Sequence, residues 1–144
     1  MRSGVLLDTG PLVAYLHPHD SYHDWAVEAF DDFNPPVITC EPVLSEACFL
    51  VARTRLRATR VLECVSRGGA RIGLRLDDEM AAIRGLMERY ANVPMSLADA
   101  CLVRLAEQTG LPICTLDADF AIYRAHGGRA LTLISPTPRQ LHEP

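Results

Sequence analysis

The chain contains no lysine: all 14 basic side chains among its 144 residues are arginines. That absence excludes a receiver-type signalling domain, whose phosphorylation chemistry relies on a lysine. There is also no C-x-x-C pair. The five cysteines, Cys40, Cys48, Cys64, Cys101 and Cys114, are odd in number and sit mostly inside apolar segments, so they read as buried thiols in a reducing compartment rather than zinc ligands or a disulfide framework. No apolar run approaches the roughly 20 residues that span a bilayer, and Asp8 interrupts the opening M-R-S-G-V-L-L-D before a signal-peptide core can form. A soluble, cytoplasmic protein with no membrane partner is expected. His17, His19 and His23 lack an H-E-x-x-H arrangement and read as surface or helix-start residues. Internal repeats, low-complexity tracts and flexible linkers are missing too.

What is present is an ordinary globular composition, 49% apolar and 22% charged, sufficient for one buried core. The formal net charge of −4 argues against a general nucleic-acid-coating protein. Arginine nevertheless grips phosphate through a planar bidentate fork, so a localised phosphate-binding stripe stays open beside the plain alternative of genome composition. Strand-type runs occur at 5–8, 37–40, 71–74, 112–116 and 131–134, with helical patterns between most of them. This alternation predicts an α/β fold around a central, mostly parallel sheet flanked by helices. One domain over 1–135 and a tail over 136–144 are expected.

After the first strand, Gly10-Pro11 leads into a short apolar stretch. Asp20 then reads as the cap of a helix with an apolar face of Tyr22, Trp25, Ala26, Ala29, Phe30 and Phe33, ended by Asn34-Pro35-Pro36. Another helix opens at Glu41-Pro42 and runs toward Arg55, and a further helical segment over 56–66 stops at Gly68-Gly69. Asp77-Asp78-Glu79 supplies an acidic helix start, and Ser96 caps the last helix, which closes near Gly110.

Acidic residues stand beside these turns and helix starts. Asp8 ends the run V-L-L and Asp117 ends I-C-T-L, at the strand edge where open α/β sheets bind ligands. Asp8 in isolation reads more readily as a turn-starting Asp, and the other acids change that weighting. Asp119 is a further ligand or the cap of the Phe120–Ile122–Tyr123 segment. Asp99 completes an S-x-x-D capping box with Ser96, and a first-turn carboxylate can cap the backbone and ligate a cation together. Glu46 shares a helical stripe with Leu50, Arg53 and Arg57, which suits a phosphodiester strand continuing along the helix or simply an amphipathic border. Thr9, Ser96 and Thr115 each flank an acid and could hold a carboxylate or a metal-bound water. Two carboxylates about 4 Å apart repel by roughly 4 kcal/mol at an effective dielectric near 20, so a convergent cluster needs shared protons or a bound cation.

Taken in order, D-T-G-P-L-V-A, V-L-S-E-A, S-L-A-D-A-C-L-V and T-L-D-A-D-F resemble the PIN-domain family, specifically its small VapC-type members, over 5 to about 134. The resemblance implies a metal-dependent ribonuclease with Asp8, Glu46, Asp99 and Asp117 as catalytic and metal-binding residues, and Asp119 as a less certain ligand. Oxygen-only ligands suit Mg²⁺ or Mn²⁺. It further implies RNA as substrate, products with 5′-phosphate and 3′-hydroxyl ends, a homodimer and a small antitoxin partner. Apolar residues beyond one core face, such as Phe49 and Leu50, fit the dimer. A phosphatase of the aspartyl-phosphate type would want D-x-D where this chain has Asp8-Thr9-Gly10. The serious competitor is a PIN module that binds or processes RNA without being a toxin, or is catalytically silent.

Overall fold

A computed structural model describes residues 3–137. The elements are β1 (Val5–Leu7), α1 (Thr9–Leu16), α2 (His23–Asp32), β2 (Val37–Thr39), α3 (Glu41–Ala52), α4 (Thr59–Ser66), β3 (Arg71–Ile72), α5 (Leu76–Arg89), α6 (Leu97–Thr109), β4 (Ile113–Cys114) and β5 (Leu133–Ile134). Two short 3-10 helices, Ala118–Ala121 and His126–Gly128, join the last two strands. The strands form one sheet in the order β3-β2-β1-β4-β5, and every pairing is parallel.

The unbroken apolar run of β1 follows from its central place, because a strand covered on both faces needs no polar alternation. Leu6 turns to one face, where it packs with Ile38, Ile113 and the inner sides of α5 and α6. Val5 and Leu7 turn to the other, against residues of α1, α3 and α4. Each such fully buried aliphatic side chain contributes about 1.5–3 kcal/mol relative to exposure. Outward from β1 the chain adds β2 and β3 on one side, then returns to build β4 and β5 on the other. The winding therefore reverses between β1 and β4, and the crevice beyond their carboxyl ends is the ligand-binding position of such sheets.

Local structure departs from the sequence expectations in several places. The short apolar stretch after β1 is helix α1, and Gly10-Pro11 lies in its first turn, where the missing proline N–H costs no helical bond. Asp20 is not a helix cap: α2 starts at His23 with Tyr22 in the cap position, and the Asp20 carboxylate accepts from the Tyr22 backbone N–H at 2.9 Å, closing a turn. Helix α3 stops at Ala52, and α4 begins only at Thr59. Thr54 enforces the break, its hydroxyl donating to the Val51 carbonyl at 2.7 Å and accepting from the Leu56 N–H at 3.1 Å. Most of the expected tail, 138–144, lies outside the described residues.

Gly73 follows β3 where a Cβ would lie 2.3 Å from the Cγ2 of core residue Ile38. Gly73→Ala is expected to lower stability by about 1–3 kcal/mol through overpacking, read as a drop in thermal midpoint. An unchanged midpoint would mean that Ile38 yields freely.

Candidate acidic site at the sheet switch point

Asp8 leaves β1 in extended conformation and caps α1, its Oδ1 accepting from the Thr9 backbone N–H at 2.8 Å. Its other oxygen accepts from the Thr115 hydroxyl at 2.6 Å, a bond that crosses the switch point from β1 to the segment after β4. The same Thr115 oxygen accepts from the Asp117 N–H at 2.9 Å, and the Asp117 carboxylate accepts from the Asp119 N–H at 2.9 Å. On the opposite side of Asp8, the Thr9 hydroxyl donates to Glu46 of α3 at 3.1 Å. A continuous hydrogen-bonded series thus links Glu46, Thr9, Asp8, Thr115, Asp117 and Asp119.

Asp99 enters from the first turn of α6 in a complete capping box with Ser96. Its Oδ2 also accepts from the Tyr123 hydroxyl at 2.9 Å. Tyr123 is fully buried against Phe120 and Tyr90, so its hydroxyl is held on this carboxylate. The sequence singled out no role for Tyr123, because a tyrosine at helical spacing with Phe120 reads as core. Only the polar handle that a buried tyrosine must satisfy pointed elsewhere.

Burial and mutual repulsion set the protonation of this group. Asp8 and Asp99 are 6% and 9% exposed, whereas Asp117 and Glu46 are open to solvent. Loss of hydration pushes the Asp8 carboxyl up to about 6; bonds from Thr115 and Thr9 oppose the rise, and the negative charges of Asp99 and Asp117 add to it. Asp99 is also raised by burial, against the stabilising bonds from Tyr123 and Ser96, with Asp117 again raising it. Tyr123 is pushed upward by burial and by Asp99, Asp119 and Asp117. The acids are therefore near enough to feel one another, and among the described residues none of the five pairs with an arginine or histidine.

This donor set fits a hard divalent cation: it is oxygen-only, partly desolvated, and carries negative charge that no protein cation offsets. The fit is one of chemistry and not of a finished cage. Among the described residues no three acidic, histidine or cysteine side chains already stand in ion-holding geometry. Both Asp8 oxygens and one Asp99 oxygen are instead engaged with hydroxyls and backbone amides. Beside Glu46 and the start of α6 opens a cavity of about 420 Å³ walled by Pro42, Leu74, Leu76 and Leu97, which gives a substrate room next to the acids.

The arginine stripe differs from expectation. Arg53 is the residue that terminates α3, with its guanidinium 5.6 Å over the Phe49 ring, and Arg57 lies beyond the helix in the connection to α4. Glu46 and Arg57 consequently share no helical face.

The chain is thus a doubly wound parallel α/β domain with carboxylates beside its switch point. The family model of the PIN domain matches residues 5–125, and the chain belongs to that family. No curated protein matches it. Among solved structures, it is similar to Mycobacterium tuberculosis VapC20, a sarcin–ricin-loop-cleaving toxin, at 24% identity and a TM-score of 0.70, over 82% of this chain and 93% of that one. It is also similar to a chain in the structure of FitAB bound to an IR36 DNA fragment, at 19% identity and a TM-score of 0.56, over 92% of this chain and 94% of that one. At these identities the likeness establishes the fold.

Proposed function

We propose that the protein is a divalent-metal-dependent endoribonuclease, the toxin half of a type II toxin–antitoxin pair. The observation that carries this reading is the Thr115 bridge, which joins the acids ending β1 and following β4 at the switch point. Asp8, Asp99, Glu46 and Asp117 would hold Mg²⁺ or Mn²⁺, with Asp119 as an outlying ligand. Such a cation, when bound, acidifies a water and neutralises charge on a phosphate. The chain's own contribution is positional. Thr115 and Thr9 fix the rotamer of Asp8, Tyr123 and Ser96 fix that of Asp99, and burial keeps the Asp8 carboxyl in want of a counter-charge. Similarity to a sarcin–ricin-loop-cleaving toxin supports RNA as the substrate.

The test incubates purified protein with single-stranded and structured RNA in Mg²⁺, Mn²⁺ or excess chelator and maps the product ends. Internal cuts leaving 5′-phosphates and 3′-hydroxyls, lost at least a hundredfold in chelator, are expected on the several kcal/mol that metal-assisted charge neutralisation supplies. Undiminished cleavage in chelator rejects the mechanism. The second reading, an RNA-binding or RNA-processing PIN module that is not a toxin or is catalytically silent, is favoured by the engagement of both Asp8 oxygens and one Asp99 oxygen with hydroxyls and backbone amides. Metal-independent RNA binding without product would establish the silent form.

A homodimer and a small antitoxin complete the proposal. Phe49 and Leu50 of α3 are 62% and 41% exposed, apolar area that a partner surface would cover. Light scattering across micromolar concentrations is expected to give twice the chain mass, and a single-chain mass throughout would remove the dimer. Among the described residues no helix is long and apolar enough to cross a membrane.

A further inference from the structure

Helices α1 and α3 pack side by side, joined near the acids by the bond from Thr9 to Glu46. Both then run away from the site, α1 by about 10 Å from Thr9 to Leu16 and α3 by about 9 Å from Glu46 to Ala52 at the helical rise. Where they end, a cavity of about 530 Å³ opens, lined by His17, His19, Arg53 and Arg55 among others. The turn that Thr54 closes places two arginines on either side of it, and among the described residues neither is ion-paired with a carboxylate. His19 donates its backbone N–H to Nδ1 of His17 at 3.1 Å, which leaves the neutral His17 ring its proton on Nε2 as a donor. Each helix terminus brings about half a negative charge, so two termini offset about one of the two guanidinium charges. The cavity keeps a net charge of about +1 on a chain of formal charge −4.

We propose that this cavity binds a phosphodiester group of the RNA strand that extends from the acidic site along the α1–α3 face, with Arg53 and Arg55 providing the charge and His17 and His19 hydrogen bonds. The ligand class rests on the nuclease reading, but the binding measurement does not depend on catalysis. Arg57 does not line this cavity.

The experiment measures anisotropy of a fluorescein-labelled single-stranded RNA of about 12 nucleotides, a length within usual single-strand footprints, on the intact protein in chelator across a salt series. Losing its hold on that one phosphate, the Arg53→Gln/Arg55→Gln variant is expected to bind about tenfold more weakly, with the slope of log K against log salt shallower by about 0.7. Arg53→Lys/Arg55→Lys keeps the charge and is expected to keep the slope. Both side chains are exposed, and matching thermal midpoints check that the variants fold. Equal affinity and slope in wild type and the Gln variant overturn the proposal. A calorimetric signal for inorganic phosphate that vanishes in the Gln variant while the RNA slopes stay equal also overturns it, identifying a free-phosphate site. RNA that binds with the expected slope difference yet stays uncut in Mg²⁺ supports the cavity and refutes the nuclease. Cleavage with equal slopes does the reverse.

Discussion

Asp8→Asn is expected to cut RNA cleavage at least a hundredfold while making the metal-free protein more stable at neutral pH. The activity loss follows from removing the buried charge of a proposed metal ligand at the centre of the hydrogen-bonded series. The stability gain follows from the sign of the Asp8 shift. Its carboxyl titrates near 3.8 when unfolded and is raised to about 6 in the fold. Between those values the native state binds the extra proton, so this contribution to stability is fully present below about pH 4 and is lost as pH rises through about 6. Above that, the buried charge costs about 3 kcal/mol, at 1.36 kcal/mol for each pKa unit. Asparagine carries no such cost. Its metal-free thermal midpoint should exceed that of wild type by roughly 5–10 °C at pH 7.5, with the gap closing near pH 4. Added Mg²⁺ should then raise the wild-type midpoint and leave the variant unmoved, because only a ligand that prefers the native state stabilises it. A variant less stable than wild type at pH 7.5 would mean that the Thr115 and Thr9 bonds to the carboxylate outweigh its desolvation.

The same balance explains which parts of the molecule were legible in the sequence. Strands such as β1 and β4 announce themselves because a strand buried on both faces must be apolar throughout, and Asp8 and Asp117 are conspicuous where those runs stop. The capping box of Asp99 was equally plain, since it depends on neighbours three residues apart. Helix α1 was not, because Gly10-Pro11 has the local chemistry of a turn and the helix is stabilised by tertiary burial of Leu12, Val13 and Ala14. Periodicity also carried the α3 stripe too far. Nothing in a 100° pattern registers that Thr54 folds its hydroxyl back onto Val51 and ends the helix before Arg57. The bond from Tyr123 to Asp99 spans 24 positions and the bridge from Thr115 to Asp8 spans 107, so their geometry depends on packing that no local pattern encodes. Residue type marked the acids, and topology decided which hydroxyl meets which carboxylate.

Thr115→Val is expected to be among the most damaging changes to a side chain that is not itself a proposed ligand. Thr115 is fully buried, and valine matches its shape while removing its donor to Asp8 and its acceptor for the Asp117 N–H. Leaving a buried carboxylate oxygen without its donor costs about 1–3 kcal/mol. That penalty falls on the charged form of Asp8, since the Thr115 bond holds this carboxyl below where burial alone would put it. Destabilisation should therefore be large at pH 8 and smaller near pH 4, where Asp8 is protonated and can donate elsewhere. Activity should fall about 10- to 100-fold, with metal affinity weakened to match, the usual consequence of losing a group that orients a ligand. A double-mutant cycle separates the two bonds that Thr115 makes. In the Asp8→Asn background, Thr115→Val should cost distinctly less at pH 8, leaving chiefly the loss at the Asp117 N–H. An equal cost in both backgrounds would place the role of Thr115 in the turn at Asp117, and the proposed bridge across the switch point would lose its energetic basis.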